Sequence, residues 1–179
     1  MSKTVLVLST SPRKGGNSDA LADAFVRGAQ EAGNQVEKIT LYDKTIGFCK
    51  GCLSCQNTQR CIIRDDADAI IQKMLTADVI AFATPIYYYG MCGQMKTLLD
   101  RANPLFPADY QFRDIYLLAA AAEADEHTVD GAVTGLQGWV DCFEKSRLAG
   151  TVFAGGVTVV GEIQGHPALQ RAFDLGKTV

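Results

Sequence analysis

Long apolar runs and a strong excess of charge of either sign are both missing from this chain of 179 residues. No stretch approaches the roughly 18 to 20 apolar residues that span a bilayer. The first residues, Met1 to Thr4, lead directly into strand-like sequence without a secretory core. The formal net charge is -3, which argues against a nucleic-acid surface because such a surface requires a basic face. We therefore expect a cytoplasmic protein that binds neither membrane nor nucleic acid.

Internal repeats, low-complexity segments and interdomain linkers are absent from the sequence as well. Hydrophobic residues make up 47% of the chain and charged residues 21%, which are the proportions of a globular protein with a full core. A chain of this length usually forms one domain. We expect a single domain over residues 1–179.

Short apolar runs alternate with longer amphipathic stretches along the chain, and this alternation predicts an α/β fold. The predicted strands are 4–9, 36–41, 78–83, 115–122 and 151–160, and the predicted helices are 18–33, 66–75, 92–101, 129–147 and 167–175. Five strands joined by crossover helices favour a three-layer α/β/α sandwich with a five-stranded parallel sheet. In such sheets the ligand binds beyond the carboxyl ends of the strands. The loops after Leu8, Ala83 and Ala122 are therefore expected to meet in one crevice.

The loop from Ser9 to Ser18, between the first strand and the first helix, is rich in hydroxyl side chains. Unpaired N–H groups and the positive end of the helix dipole favour a phosphate at such a place. The loop lacks the Lys-Ser/Thr ending of a nucleoside-triphosphate loop and the three spaced glycines of a dinucleotide loop. These features favour a small phosphorylated ligand, with FMN as the leading candidate. The alternative is an ordinary turn capped by Asn17 or Ser18.

Three adjacent tyrosines, Tyr87 to Tyr89, follow the third predicted strand. Their aromatic faces, beside the backbone that Pro85 restricts, would suit one wall of a slot for a flat heterocycle. Alternatively, some of these tyrosines pack in the core or at a subunit contact.

Four cysteines with the spacing C-x2-C-x2-C-x5-C occupy a cysteine-rich loop at residues 47–64. They are Cys49, Cys52, Cys55 and Cys61. Thiolates are soft ligands, and this compact spacing allows one loop to surround a single metal centre. The candidates are an iron-sulfur cluster, zinc, or free thiols that are redox-active or structural. Asp65 and Asp66, which follow the loop, are expected to cap the next helix.

Three segments resemble the NADPH-dependent FMN reductase family of flavodoxin-like proteins, and above all its iron-sulfur flavoprotein branch. They are Ser9 to Ala22, Thr84 to Arg101 and the cysteine-rich stretch between them. The resemblance implies a flavodoxin-like sheet of order 2-1-3-4-5, bound FMN and NAD(P)H as co-substrate. It also implies a [4Fe-4S] cluster next to FMN, held by the four cysteines.

The resemblance assigns site residues by position. The FMN phosphate would be bound by Ser9, Ser11, Pro12, Arg13, Asn17 and Ser18. The ribityl chain and ring would be bordered by Pro85, Ile86, Tyr87, Tyr88, Tyr89 and Gly90. A third flavin loop would run over residues 121–125 and include Ala122 and Glu123. The family often has small, glycine-containing sequence at this third loop, and the carboxylates of Glu123 and Asp125 would disfavour an anionic reduced ring.

The function implied is an FMN-dependent oxidoreductase. It would take electrons from NAD(P)H or a reduced partner and pass them to a quinone, flavin, iron or electron-carrier acceptor. No catalytic side chain is assigned, because FMN carries the chemistry. The alternatives are a flavodoxin-like electron carrier and a cysteine or metal redox sensor. The resemblance also implies a homodimer or homotetramer.

Overall fold

A parallel sheet forms the centre of the molecule in the computed structural model, which describes residues 2–179. Its strands are β1 (Thr4–Ser9), β2 (Gln35–Thr40), β3 (Val79–Tyr87), β5 (Asp114–Ala120) and β6 (Arg147–Ala154), in the order β2-β1-β3-β5-β6. A two-residue strand, β4 (Gly90–Met91), pairs antiparallel with the end of β3. The predicted α/β class and strand order are confirmed. Within the described residues the sheet has six strands instead of five, because the chain reverses after β3 and forms this short hairpin.

Helices cover both faces of the sheet, as the predicted sandwich requires. They are α1 (Asn17–Glu31), α2 (Cys55–Thr58), α3 (Asp66–Thr76), α4 (Gly93–Arg101), α5 (Asp130–Val140) and α6 (Pro167–Lys177). Successive residues of a strand point to opposite faces, so Val5 and Val7 pack with α1 and α6, whereas Leu6 and Leu8 pack with α3, α4 and α5. None of the helices in residues 2–179 combines the length and the hydrophobicity that a membrane crossing demands.

Three predicted boundaries are wrong. β3 continues past Ala83 to Tyr87, because its last residues pair with β5 and β4. Helix α5 ends at Val140, and the chain then turns so that Phe143 enters an aromatic cluster with Trp139. Strand β6 covers 147–154 and not 151–160, since it pairs with β5 from its first residue onward.

Candidate functional site

The carboxyl end of β1 is joined directly to the middle of β3 by hydrogen bonds. The backbone N–H of Thr10 and its hydroxyl both donate to the carbonyl oxygen of Ala83, each at 2.8 Å. Beneath this junction, the sulfur of Cys92 lies 3.3 Å from the Thr10 hydroxyl, and both residues are fully buried. The first and second predicted flavin loops therefore begin side by side.

The N-terminus of α1 carries no side-chain cap. Its N-cap residue is Gly16, and no side chain within residues 2–179 accepts a hydrogen bond from the first turn. The alternative of a turn capped by Asn17 or Ser18 is wrong for this reason. Ser18 is 1% exposed, and its hydroxyl has no hydrogen-bond partner in residues 2–179. Unpaired first-turn N–H groups together with an unpaired buried hydroxyl form a fitting site for a phosphate.

A cavity of about 180 Å³ lies beside the first loop. Its lining consists of Ser9, Ser11, Arg13, Lys14, Gly15, Asp19, Thr40 and Tyr42. The Ser11 hydroxyl donates to the carbonyl of Arg13 at 3.0 Å and accepts from its N–H at 3.1 Å, which holds the loop in a tight turn. Pro12 is exposed on the outside of that turn. A Cβ on Gly16 would come within 2.9 Å of the Ser11 hydroxyl and would displace it from this turn.

Two of the predicted phosphate residues make hydrogen bonds to the loop after β6. The Asn17 amide nitrogen donates to the carbonyl of Val159 at 3.0 Å, and its oxygen accepts from the N–H groups of Gly161 and Ile163. The Arg13 guanidinium donates to the carbonyl of Thr158 at 2.9 Å. Both side chains hold the first loop against residues 158–163. The predicted strand at 151–160 includes part of this segment, whereas the observed strand ends at Ala154.

The turn between β3 and β4 contains Tyr88 and Tyr89, which both have left-handed backbone conformations with φ of 49° and 63°. The turn connects the paired residues Tyr87 and Gly90, which is the geometry of a type I′ hairpin. Asn-Gly normally fills such turns, and a left-handed residue with a side chain costs about 1–2 kcal/mol. Tyr88 is fully exposed at 102%. Strain of this kind concentrates at functional sites.

A second cavity, of about 220 Å³, brings the predicted second and third flavin loops together. It is lined by Ile86, Tyr88, Tyr89, Ala121, Ala122, Glu123 and Thr128. Of the other residues predicted here, Pro85 is buried within β3, and Tyr87 and Gly90 form its pairing with β4. The N–H groups of Ala122, Glu123 and Ala124 have no acceptor in residues 2–179 and remain free to bind a ligand.

Two glycines that sequence reasoning missed allow the walls of this cavity to approach one another. A Cβ on Gly131, at the start of α5, would lie 2.2 Å from the carbonyl oxygen of Tyr89. A Cβ on Gly155 would lie 2.7 Å from the carbonyl oxygen of Glu123. No local sequence signal distinguishes these glycines, because their contacts come from distant loops.

The two carboxylates predicted near the flavin have different surroundings. Glu123 lines the cavity, whereas Asp125 accepts a hydrogen bond from the N–H of His127 at 2.8 Å and does not line it. The His127 ring lies 3.1 Å from Asp130 in an exposed pair. The hydrogen bond to Asp130 and the surrounding negative charges raise the pKa of His127.

All four predicted metal-binding cysteines line one cavity of about 380 Å³. Cys55 is buried and accepts a hydrogen bond from the amide of Asn103 at 3.1 Å, and Cys49 accepts from the N–H of Gly51 at 3.4 Å. Hydrogen bonds from the backbone and side chain of Ser54 lower the pKa of Cys52.

The chemistry of this thiol set suits a soft metal or an iron-sulfur cluster. The spacing of the side chains is wider than a metal ion requires: within residues 2–179, no three His, Cys, Asp or Glu side chains lie close enough together to hold one. All six cysteines are free thiols.

Arg101, at the end of α4, lies in the wall of the cysteine cavity, and its side chain is 0% exposed. Its guanidinium donates to the carboxylate of Asp65 at 2.7 and 2.9 Å, and to the carbonyls of Gly47 and Ile63 at 2.8 and 3.2 Å. The hydrogen bond to Asp65, together with the nearby Cys61 thiol, raises the pKa of Arg101. One side chain therefore fixes both ends of the cysteine-rich loop.

Asp65 also caps α3, as predicted, by accepting from the N–H of Ala67 at 3.1 Å. Asp66 does not cap it, because it is the first residue of the helix and its carboxylate accepts from the N–H of Thr45 at 2.7 Å. Burial alone would raise the pKa of Asp65, but the hydrogen bonds from Arg101 and from the N–H groups of Gly47 and Ala67 outweigh it and lower the pKa.

Helix α4 connects the two candidate sites. It begins directly after Cys92, below the first two loops, and ends at Arg101 beside the cysteines. With a rise of about 1.5 Å per residue, its nine residues span about 13 Å. The cysteine cavity and the predicted flavin loops are thus at the two ends of one short helix.

Comparison with known proteins identifies relatives for most of the chain. The family model described as NADPH-dependent FMN reductase matches residues 4–163. An iron-sulfur flavoprotein of Methanocaldococcus jannaschii is 40% identical over 101 residues, which are 56% of this chain and 52% of that protein. An iron-sulfur flavoprotein of Methanosarcina thermophila is 36% identical over 95 residues, 53% of this chain and 50% of the relative. The matches thus span about half the length of these curated relatives.

Solved structures share the fold across the whole chain. An NAD(P)H:quinone oxidoreductase from Methanothermobacter marburgensis has a TM-score of 0.71 at 19% identity, and the alignment covers 99% of this chain and 97% of that one. The azoreductase AzrA has a TM-score of 0.73 at 18% identity, covering 98% and 100%. At these identities the likeness shows the fold, which is the flavodoxin-like one predicted.

Proposed function

The chain belongs to the NADPH-dependent FMN reductase family, and on that premise we propose that it is an FMN-dependent oxidoreductase that takes electrons from NAD(P)H or a reduced partner. One observation carries the proposal. The N-terminus of α1 has no side-chain cap and holds the unpaired, buried hydroxyl of Ser18. This arrangement suits a phosphate monoester, and the loops of an aromatic-walled cavity begin beside it.

The proposed roles follow the chemistry of each loop. The first-turn N–H groups of α1 and the Ser18 hydroxyl would bind the FMN phosphate, while Asn17 and Arg13 hold that loop in place. The cavity lined by Ile86, Tyr88 and Glu123 would receive the ring, and the free N–H groups of the third loop would donate to its polar edge. FMN, when bound, would supply the hydride and electron transfer.

The acceptor is proposed to be a small molecule or an electron carrier: a quinone, a free flavin, an iron complex or a ferredoxin-like protein. Exposure of Tyr88 and Tyr89 at the cavity mouth favours an enzyme over a flavodoxin-like carrier, because a carrier encloses most of its ring whereas a reductase leaves one face open to nicotinamide. We also propose one FMN-binding domain over residues 1–179 and assembly as a homodimer or homotetramer. The exposed tyrosines are candidates for the contact.

The four cysteines are proposed to hold a [4Fe-4S] cluster. Their shared cavity, the N–H donors to Cys49 and Cys55, and the names of the curated relatives support this assignment. The cysteine side chains must approach one another to bind it, and the exposed positions of Cys49 and Cys52 leave room for that movement. A redox sensor built from the same thiols is the competing function.

The first test compares the binding of FMN and riboflavin, which share the ring but differ in the phosphate. Wild-type protein is expected to bind FMN more tightly than riboflavin. Ser18→Ala is expected to weaken FMN binding by about 1.5 kcal/mol, the worth of one hydrogen bond to a charged group. Its affinity for riboflavin should stay unchanged. Equal affinity of the wild-type protein for both flavins would show that the first loop is not a phosphate site.

The second test concerns activity and metal content. Steady oxidation of NADPH by the FMN-loaded protein in the presence of a quinone would support the reductase over the carrier and the sensor. Iron and acid-labile sulfide that co-purify without oxygen, and are lost in Cys55→Ala, would support the cluster. Iron that persists in Cys55→Ala would contradict the four-thiol assignment.

A further inference from the structure

Thr128 is a buried residue within an exposed stretch. It belongs to the short 3-10 helix Glu126–Val129, and it is 4% exposed although residues 122–127 before it are all exposed. Its backbone N–H is paired with the carbonyl of Asp125 at 3.0 Å. Its hydroxyl has no hydrogen-bond partner anywhere in residues 2–179. The same residue lines the cavity between the second and third loops.

A buried hydroxyl without a partner is unfavourable, and native structures rarely retain one without a reason. The cavity that Thr128 lines is walled by Ile86, two alanines, the two tyrosines and Glu123, and none of their groups pairs with its hydroxyl in residues 2–179. A valine would fill the same space without the cost. The free hydroxyl therefore indicates a ligand atom that the cavity receives.

The flavin ring has two unlike ends. Its pyrimidine edge carries two carbonyl oxygens and an N–H, whereas its dimethylbenzene end carries no polar atom. A hydroxyl can donate to a carbonyl and can rotate to suit it. The free N–H groups of Ala122 and Glu123, two residues that line the same cavity, are also donors. The donors of Thr128 and the third loop therefore match the carbonyls of the pyrimidine edge and not the dimethylbenzene end.

We propose that Thr128 is a flavin-binding residue whose hydroxyl donates a hydrogen bond to a carbonyl oxygen of the pyrimidine edge and so sets the direction in which the ring enters the cavity. The proposal rests on the proposed binding of FMN. It extends the third flavin loop beyond residues 121–125 to a residue that neither composition nor motif singles out.

The test uses two variants and two ligands. Thr128→Val keeps the shape of the side chain and removes the hydroxyl, and Thr128→Ser keeps the hydroxyl. The dissociation constants of FMN and of riboflavin are measured by quenching of flavin fluorescence. Thr128→Val is expected to weaken both ligands by about tenfold, since one hydrogen bond to the shared ring is lost. Thr128→Ser should stay within about threefold of wild type for both ligands.

A stability measurement separates binding from a structural role. The unfolding temperature of flavin-free Thr128→Val should equal or exceed that of flavin-free wild type, because no protein hydrogen bond is lost. A fall in that temperature would indicate a structural role and overturn the proposal. So would unchanged affinity in Thr128→Val, weakening of FMN alone, or equal losses in Thr128→Ser and Thr128→Val. If wild-type protein binds neither flavin, the proposed function fails and this inference fails with it.

Discussion

The guanidinium of Arg101 and the carboxylate of Asp65 form a buried ion pair with two hydrogen bonds, at 2.7 and 2.9 Å. The pair joins the C-terminal end of α4 to the residue that caps α3. Two further bonds, to the carbonyls of Gly47 and Ile63, attach both ends of the cysteine-rich loop to the same side chain. The buried Arg101 side chain therefore attaches the cysteine-rich loop to helices α3 and α4.

Replacing Asp65 by Asn should lower the free energy of unfolding by about 3–5 kcal/mol, because the buried Arg101 loses its counter-charge. Asp68→Asn is the matched control. Asp68 pairs with Arg60 at 2.7 Å, but that arginine is half exposed, and exposed pairs contribute about 0–1 kcal/mol. Chemical denaturation of both variants measures the difference. Equal losses would show that burial of the Arg101 pair adds nothing.

The same pair predicts a dependence of stability on pH. The pKa of Asp65 is lower in the folded protein than in the unfolded chain, where it is about 3.9. Its contribution is therefore complete above the unfolded value and is lost as the pH falls through the folded one. The difference in unfolding free energy between wild type and Asp65→Asn should be constant from about pH 7 to pH 5 and should shrink below about pH 4. A difference that does not shrink at all between pH 5 and pH 3 would contradict this assignment.

Helix α5 lies close to the tyrosine turn at its first residues only, so a glycine-to-alanine substitution should have different effects at the two ends of this helix. Gly131→Ala should destabilise the protein by about 1–3 kcal/mol, since its Cβ would meet the Tyr89 carbonyl at 2.2 Å. It should also weaken FMN binding, because the turn must move. Gly138→Ala has no atom within 4 Å of the new Cβ and should stabilise the helix by up to about 1 kcal/mol. Thermal unfolding and FMN titration of both variants test this prediction. Equal unfolding temperatures and equal FMN affinities for the two variants would contradict it.

The strained turn predicts opposite effects on stability and binding. Tyr88→Asn should raise the free energy of unfolding by about 1 kcal/mol, because Asn tolerates the left-handed conformation and the exposed ring makes little contact. FMN affinity should fall as part of the cavity wall is lost. Tyr87→Asn, in the strand before the turn, should show no gain in stability. A loss of stability in Tyr88→Asn would indicate that the ring is already packed against another surface.

Much of the fold could be predicted from the sequence. The runs at β1, β3 and β5 are buried on both faces and are therefore continuously apolar, so their pattern is unmistakable. β6 is an edge strand with exposed residues such as Arg147 and Thr151, and its start could not be recognised by hydrophobicity. The helix cap at Asp65 followed from a local rule and is confirmed.

The candidate site was harder to predict, because its decisive contacts are remote in the chain. Asp65 was identified as a cap, but its pairing with Arg101, 36 residues later, has no local signal. Asn17 was identified by its place in a phosphate loop, whereas its side chain bonds to residues more than 140 positions away. Thr128 lies in an acidic, exposed segment, and the composition of that segment does not predict that one of its hydroxyls is buried.

The most direct test of the account is the visible absorption spectrum of the protein purified without oxygen and without added flavin, followed by release and identification of the chromophore. The protein should show the two absorption bands of a bound flavin and should release FMN. A colourless protein that also fails to bind added FMN would contradict the central claim.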